Sequence, residues 1–120
     1  MIYIICPVRN ITKEQQQEIE EYVYQLENKY NQDVHYPPRD VNQDDETGFN
    51  ICNYHLEALK NCQKVHIFWD NNSKGSHFDL GMAFALGKKI KLIKAYQQDI
   101  KEKSYLKVIK CYENSKGFSN

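Results

Sequence analysis

Long apolar runs are missing from this 120-residue chain, and mean hydropathy is −0.76. No stretch approaches the roughly 20 apolar residues that a membrane-crossing helix needs, so membrane spanning is excluded. The opening MIYIICPVRN has no basic leader and no small-residue cleavage site. It reads as a buried strand and not a secretion signal, and a cytoplasmic location is expected. No excess of charge exists either, with 16 basic and 16 acidic side chains. That balance removes the electrostatic footprint of a protein that coats nucleic acid, and no duplex partner is expected. Zinc-type spacing is absent among Cys6, Cys52, Cys62 and Cys111, which hold no C-x-x-C pair, and among His35, His55, His66 and His77. No metal site and no cofactor are expected. Cys6 and Arg9 stand too close for the anion-cradling turn of a phosphatase loop, and Pro7 removes one amide from it. The cysteines read as buried, reduced thiols.

What is present fits one domain over residues 1–120, long enough for a single layered core and too short for two. Ile2 to Cys6 is a nearly continuous apolar run ended by Pro7, the pattern of a strand buried on both faces of a parallel sheet. Thr12 and Gln15 form a capping box, after which Ile19, Tyr22, Val23, Leu26 and Tyr30 recur at helical spacing. Asp33 to Tyr36 reads as a short strand stopped by Pro37 and Pro38, and the following RDVNQDDETG as a polar loop. The spacing of Ile51, His55, Leu56 and Leu59 predicts a helix from about Gly48 to Cys62, with His55 and His66 in or near the core. Lys64 to Trp69 is a third strand. Ser76 is expected to open a third helix closed at Gly87, followed by a fourth strand at Ile90 to Ile93 and a terminal helix after Ser104. Tyr22, Tyr30, Tyr105 and Tyr112 read as helix-packing residues.

Alternating strands and helices demand right-handed crossovers. The expected fold is α/β: a small doubly wound, Rossmann- or flavodoxin-like parallel sheet of four to five strands with helices on both faces. Ligands bind such folds outside the carboxyl ends of the strands, where strand order reverses. The segments there are Pro7 to Asn10, Tyr36 to Asp40 and Asp70 to Asp79.

The densest chemistry lies in Gly75-Ser76-His77-Phe78-Asp79-Leu80-Gly81-Met82-Ala83, directly after a strand and at a helix start. Free amides and the helix dipole at Ser76 and His77 favour an anion or an electron-rich sugar oxygen, and Gly75 permits close approach to the backbone. Asp79 is a short, stiff carboxylate suited to act as a nucleophile or to stabilise an oxocarbenium-like centre. Ser76 and Asp79 also stand in the S-x-x-D capping relation, so spacing alone leaves capping and a site role both open.

The stretch GSHFDLGMAFALGKKI resembles the Gly-Thr-x-x-Glu-Leu-Gly-x-Ala-x-Ala-x-Gly-Lys-Pro segment of the nucleoside 2-deoxyribosyltransferase-like family, which includes deoxynucleotide N-glycoside hydrolases. The likeness covers residues 1–95 in layout. YPPRDVNQDD and FDLGMAF look closest to a small bacterial and phage group within that family. The resemblance places Asp79 where the family has its nucleophilic glutamate, one methylene longer, and Ser76 on the family's threonine. It puts Cys6, Pro7 and Arg9 on the opening strand and ligand loop, and Asp70 near positions that contact sugar or base. Family members commonly assemble so that a neighbour closes the pocket. A homo-oligomer is therefore expected, and the charge asymmetry permits it: residues 1–57 hold eleven acids and four bases, residues 58–120 five and twelve.

Other residues join the candidate site. His77 is a candidate general acid or phosphate donor, or an exposed helix-start histidine. Arg9 and Arg39, the chain's two arginines, each follow a strand and suit a bidentate grip on phosphate or carboxylate. Asp40 is a further ligand candidate or a partner for Arg39. Tyr36 and Trp69, at strand ends, are placed to stack on a nucleobase, with core packing the rival reading for Trp69. The expected function is binding of a nucleoside or nucleotide derivative, with cleavage or transfer of its N-glycosidic bond through Asp79. The alternatives are a non-catalytic binder that senses or sequesters a nucleotide signal, such as a phage decoy for a host defence messenger, and a protein-interaction module without a ligand.

Overall fold

A computed structural model describes residues 1–98 and 100–115. The expected single unit of residues 1–120 also takes in Asp99 and residues 116–120, which lie outside the described residues. The elements are β1 (Ile2–Ile5), α1 (Lys13–Asn28), β2 (Val34–His35), α2 (Pro37–Asp40), α3 (Phe49–Asn61), β3 (Lys64–Trp69), α4 (Lys74–Ala85), β4 (Lys89–Ala95) and α5 (Tyr105–Ser115). Four strands form one all-parallel sheet in the order β2-β1-β3-β4. This is the expected doubly wound α/β arrangement, and its order reverses between β1 and β3. Among the described residues, no helix is long and apolar enough to cross a membrane.

Both faces of the sheet are covered. Ile2, Ile4 and Phe68 pack with Ile19, Val23 and Leu26 of α1 on one side. Tyr3, Ile5, Val65, Ile67 and Trp69 face the other side, against Leu59 of α3, Leu80 and Ala83 of α4 and Leu106, Ile109 and Tyr112 of α5. This two-sided burial explains why β1 is wholly apolar instead of alternating: all four of its residues are buried. In β4 the register with β3 shifts by one residue after Ile67. Ile93 and Lys94 both reach the α1 side there, Ile93 packed half-buried against the core and Lys94 to Glu18 at 2.7 Å.

Thr12 caps α1 with the full reciprocal capping box to Gln15. Tyr30 lies beyond the end of that helix and is 58% exposed, so it does not pack as its spacing suggests, whereas Tyr105, 57% exposed, sets one ring edge of α5 against His77 of α4. The polar stretch after Pro38 is not all loop. Two prolines preset the helical φ at its start, and α2 forms one turn over Pro37–Asp40.

α4 begins two residues before the serine expected to open it. Ser73 is its N-cap, accepting from the Ser76 amide at 3.3 Å and donating its hydroxyl to Ser76 Oγ at 2.8 Å. The turn formers of 70–75 hid this start, because Lys74 and Gly75 are already helical. Its end is as expected. Gly87 takes φ +66°, its amide bonds to Phe84 O, and the Lys88 amide bonds to Ala83 O, a Schellman closure that needs a left-handed residue.

Candidate functional site

A cavity of about 520 Å³ opens at the carboxyl ends of β1 and β3, where the strand order reverses. The β1 loop contributes Cys6, Arg9 and Asn10, and the start of α4 contributes Lys74, Gly75, Ser76 and Asp79. His55, Cys52 and Ile51 of α3 form a third wall, with Gln43 and Gly48 from the polar segment before it. A larger hollow of about 700 Å³ lies between the end of α4 and α5, lined by Phe84, Val108, Cys111 and Tyr112 among others. Its lining carries neither a carboxylate nor a histidine and no residue from the carboxyl ends of the strands.

Asp79 sits one and a half turns into α4, only 6% exposed, and lines the cavity. Ser73 supplies the cap and takes the Ser76 amide, so Asp79 makes no capping bond. The carboxylate is instead held at both oxygens. The Tyr3 hydroxyl donates to Oδ2 at 2.9 Å, and His55 Nδ1 lies 3.1 Å from Oδ1. Burial, reinforced by the adjacent Asp79 charge, raises the Tyr3 phenol far above its ordinary range. Tyr3 is therefore a fixed donor at any physiological pH.

Burial, again with Asp79 beside it, pushes the Cys6 thiol up to about 12. Cys6 is a protonated wall and not a nucleophile. His35 on β2 stacks on Tyr3 with ring centroids 5.2 Å apart, and burial holds its pKa below the ordinary value. The buried Nε2 atoms of His35 and His55 have no hydrogen-bond partner among the described residues.

Arg9 and Lys74 are the cations of the cavity wall, and neither is ion-paired among the described residues. Beside Lys74 lies the α4 start, where the Lys74 and Gly75 amides have no preceding turn to accept them. The Ser76 amide is taken by Ser73 Oγ and the His77 amide by Ser73 O. The available donors thus stand two residues earlier than the sequence suggested. The wall has a cationic part made by Arg9, Lys74 and free amides, and an anionic part made by Asp79.

Of the residues singled out from sequence, the cavity gathers Cys6, Arg9, Gly75, Ser76 and Asp79. Pro7 is fully buried between two lining residues. The remaining candidates do not line it. Trp69 is fully buried in the core, its indole N–H donating to Asn71 Oδ1 at 2.8 Å. Tyr36 is buried against the α1 side. Arg39 grips Glu27 at 2.9 and 3.0 Å and Asp40 at 2.7 Å, while Asp40 also accepts from the Tyr36 amide. Asp70 organises its own turn, accepting from the Asn72 amide and from Gln97. His77 turns toward α5, with Nδ1 2.7 Å from Ser73 O and its ring against Trp69 and Tyr105.

Tyr3 and His55 were not among the candidates read from sequence. Tyr3 sits inside the apolar run IYII and His55 on an apolar helical stripe, so both read as core. The available signal is one polar-tipped side chain in each otherwise apolar set.

No protein-family model matches the chain, and no curated protein matches it by sequence. Among solved structures, the Clostridium botulinum CMP N-glycosidase BcmB is similar with a TM-score of 0.62 and 20% identity, over 94% of this chain and 82% of that one. The chain therefore shares its fold with an enzyme named for cleaving a nucleotide's N-glycosidic bond.

Proposed function

We propose that this protein binds a nucleotide in the strand-end cavity and cleaves its N-glycosidic bond through Asp79. The observation that carries the proposal is a carboxylate on the cavity wall, buried and held at both oxygens by Tyr3 and His55. The nucleotide's phosphate pairs with Arg9, Lys74 and the free amides of α4, where cationic side chains and a helix start attract an anion. The shared fold with a CMP N-glycosidase supports the same reading.

In the first step an Asp79 oxygen attacks the anomeric carbon as the bond to the base breaks. The bonding electron pair leaves with the base, which takes a proton from water. In the second step water attacks the same carbon and gives its proton to the hydroxide left by the first, the glycosyl ester breaks, and the carboxylate is restored with release of the sugar phosphate. Tyr3 remains a phenol throughout, steadying the carboxylate without competing for the proton.

Incubation with a panel of nucleosides and nucleoside monophosphates, CMP first, should release free base measurable by chromatography. Asp79→Ala should abolish that release, and wild-type release from Asp79→Ala would refute the assignment. The short arm of aspartate favours a second reading, in which the cavity retains a nucleotide without breaking it. Intact nucleotide recovered after denaturing a long-incubated complex would support that reading instead.

A further inference from the structure

His55 projects from α3 into the cavity wall and meets Asp79 of α4, 24 residues later in the chain. A carboxylate offers no hydrogen, so the 3.1 Å contact requires the hydrogen to sit on Nδ1. A neutral ring in that tautomer leaves Nε2 as a bare lone pair. Nε2 is indeed buried without a partner among the described residues, a position where an orphaned N–H would cost more than an orphaned acceptor. The hydrogen bond and the empty nitrogen thus point to the same tautomer.

The consequence is geometric. A carboxylate's last torsion is broad and has no strong staggered wells, so an aspartate left alone swings about its Cβ–Cγ bond. Here Oδ2 takes a hydrogen from β1 through Tyr3, and Oδ1 takes one from α3 through His55. Rotation would break both bonds at once. Tyr3 is itself held between two rings, stacked on His35 at 5.2 Å and edge-on to His55 at 6.0 Å.

We infer that His55 is a positioning residue that fixes the attack direction of Asp79, an inference that rests on the reading of Asp79 as the reacting carboxylate. A direct acid or base role does not fit. With Nδ1 committed to Asp79, the ring lies on the nucleophile's side of the sugar, whereas the base departs and water arrives on the opposite face. The role is therefore exerted through the carboxylate, where an error of about 1 Å costs on the order of a hundredfold in rate.

The test compares His55→Ala, His55→Asn and His55→Gln in the base-release assay, each first checked by thermal melting. His55→Ala should lower kcat by about 10- to 100-fold with KM within about threefold, because binding contacts survive and alignment does not. Asn presents an amide near the place of Nδ1 and should restore most of the loss. Gln presents its amide near the place of Nε2 and should not. An unchanged kcat in His55→Ala, a loss confined to KM, or equal behaviour of Asn and Gln would overturn the inference.

Nitrogen-15 NMR of the imidazole separates this result from the fate of the proposed reaction. Wild type should show the Nδ1–H tautomer for His55, and Asp79→Ala should shift it toward Nε2–H. An Nε2–H tautomer in wild type, or one indifferent to Asp79→Ala, overturns the inference even where base release occurs. Should wild type release no base from any nucleotide, the proposed reaction fails while the tautomer measurement still decides whether His55 holds Asp79.

Discussion

His66 gives the fold a measurable acid sensitivity. It lies on β3 facing α1, only 7% exposed, with Tyr22 Oη 2.7 Å from its Nδ1. Burial first, then the nearby Lys91 and Lys64 charges, pushes its pKa from 6.5 down to about 4. The unfolded chain takes up a proton near 6.5 that the native state refuses until about pH 4. The stabilisation is therefore fully present above pH 6.5 and is lost as pH falls through that window. Its size follows from 1.36 kcal/mol per pH unit, about 3 kcal/mol at most, or on the order of 10 °C in Tm for a domain of this size. Melting curves between pH 7.5 and 4.0 for wild type and His66→Phe provide the assay. Burial also depresses His35, which adds slope to both curves. The difference between the two proteins isolates His66 and should widen steadily toward neutral pH in favour of wild type. Parallel curves, or an NMR titration placing His66 near 6.5, would refute the reasoning.

Ser73→Ala should cost about 1 kcal/mol in urea unfolding, because it removes the acceptor of the Ser76 amide and the donor to Ser76 Oγ; no change would refute the reassigned helix start. Gly87→Ala should also cost about 1 kcal/mol, from backbone strain alone, because φ is +66° and nothing lies within 4 Å of a new Cβ; Gly87→Asn should cost less. Iodoacetamide at pH 7.5 should modify exposed Cys111 well before Cys6, whose thiol is pushed up to about 12; mass spectrometry showing Cys6 alkylated first in the folded protein would count against its burial beside Asp79. Asp79→Glu should lower the rate of base release by roughly a hundredfold, because the added methylene carries the carboxylate about an ångström off Tyr3 and His55. A faster Asp79→Glu enzyme would show that the reach of the carboxylate, and not its fixed orientation, limits the reaction.

The sheet was legible because its signals are local. IYII is wholly apolar because both its faces are covered, KVHIFW marks β3 to the residue, and Thr12 with Gln15 announces the α1 cap. The start of α4 is ambiguous in the sequence because Ser73 and Ser76 are equivalent as capping residues, and only the Ser73 hydroxyl's contact with the Ser76 amide chooses between them. Arg39 illustrates a different limit. Its place after β2 suits phosphate, yet Glu27, twelve residues earlier at the end of α1, reaches it and claims two of its guanidinium nitrogens. Trp69 had two readings from sequence, and its fully buried position follows from facing α4 and α5 across the sheet. Tyr3 and His55 were invisible as site residues because their polar atoms acquire meaning only against Asp79, 76 and 24 residues away.

The position of Asp79 itself is informative. α4 follows β3, and β1 is the neighbour of β3 at the point where strand order reverses. A side chain one and a half turns into α4 on its sheet-facing side therefore meets β1, whose polar group on that face is the Tyr3 hydroxyl. Burying a carboxylate there is costly. Among the described residues no lysine or arginine pairs with it, its donors are a phenol and an imidazole, and an apolar side chain of similar size would spare the desolvation. Helix capping gives no reason to keep the acid, because Ser73 already caps α4. Stability gives none either. The proposed reaction does, because it needs a carboxylate shielded from water and aimed in one direction, which is the arrangement that the β1, α3 and α4 side chains produce together.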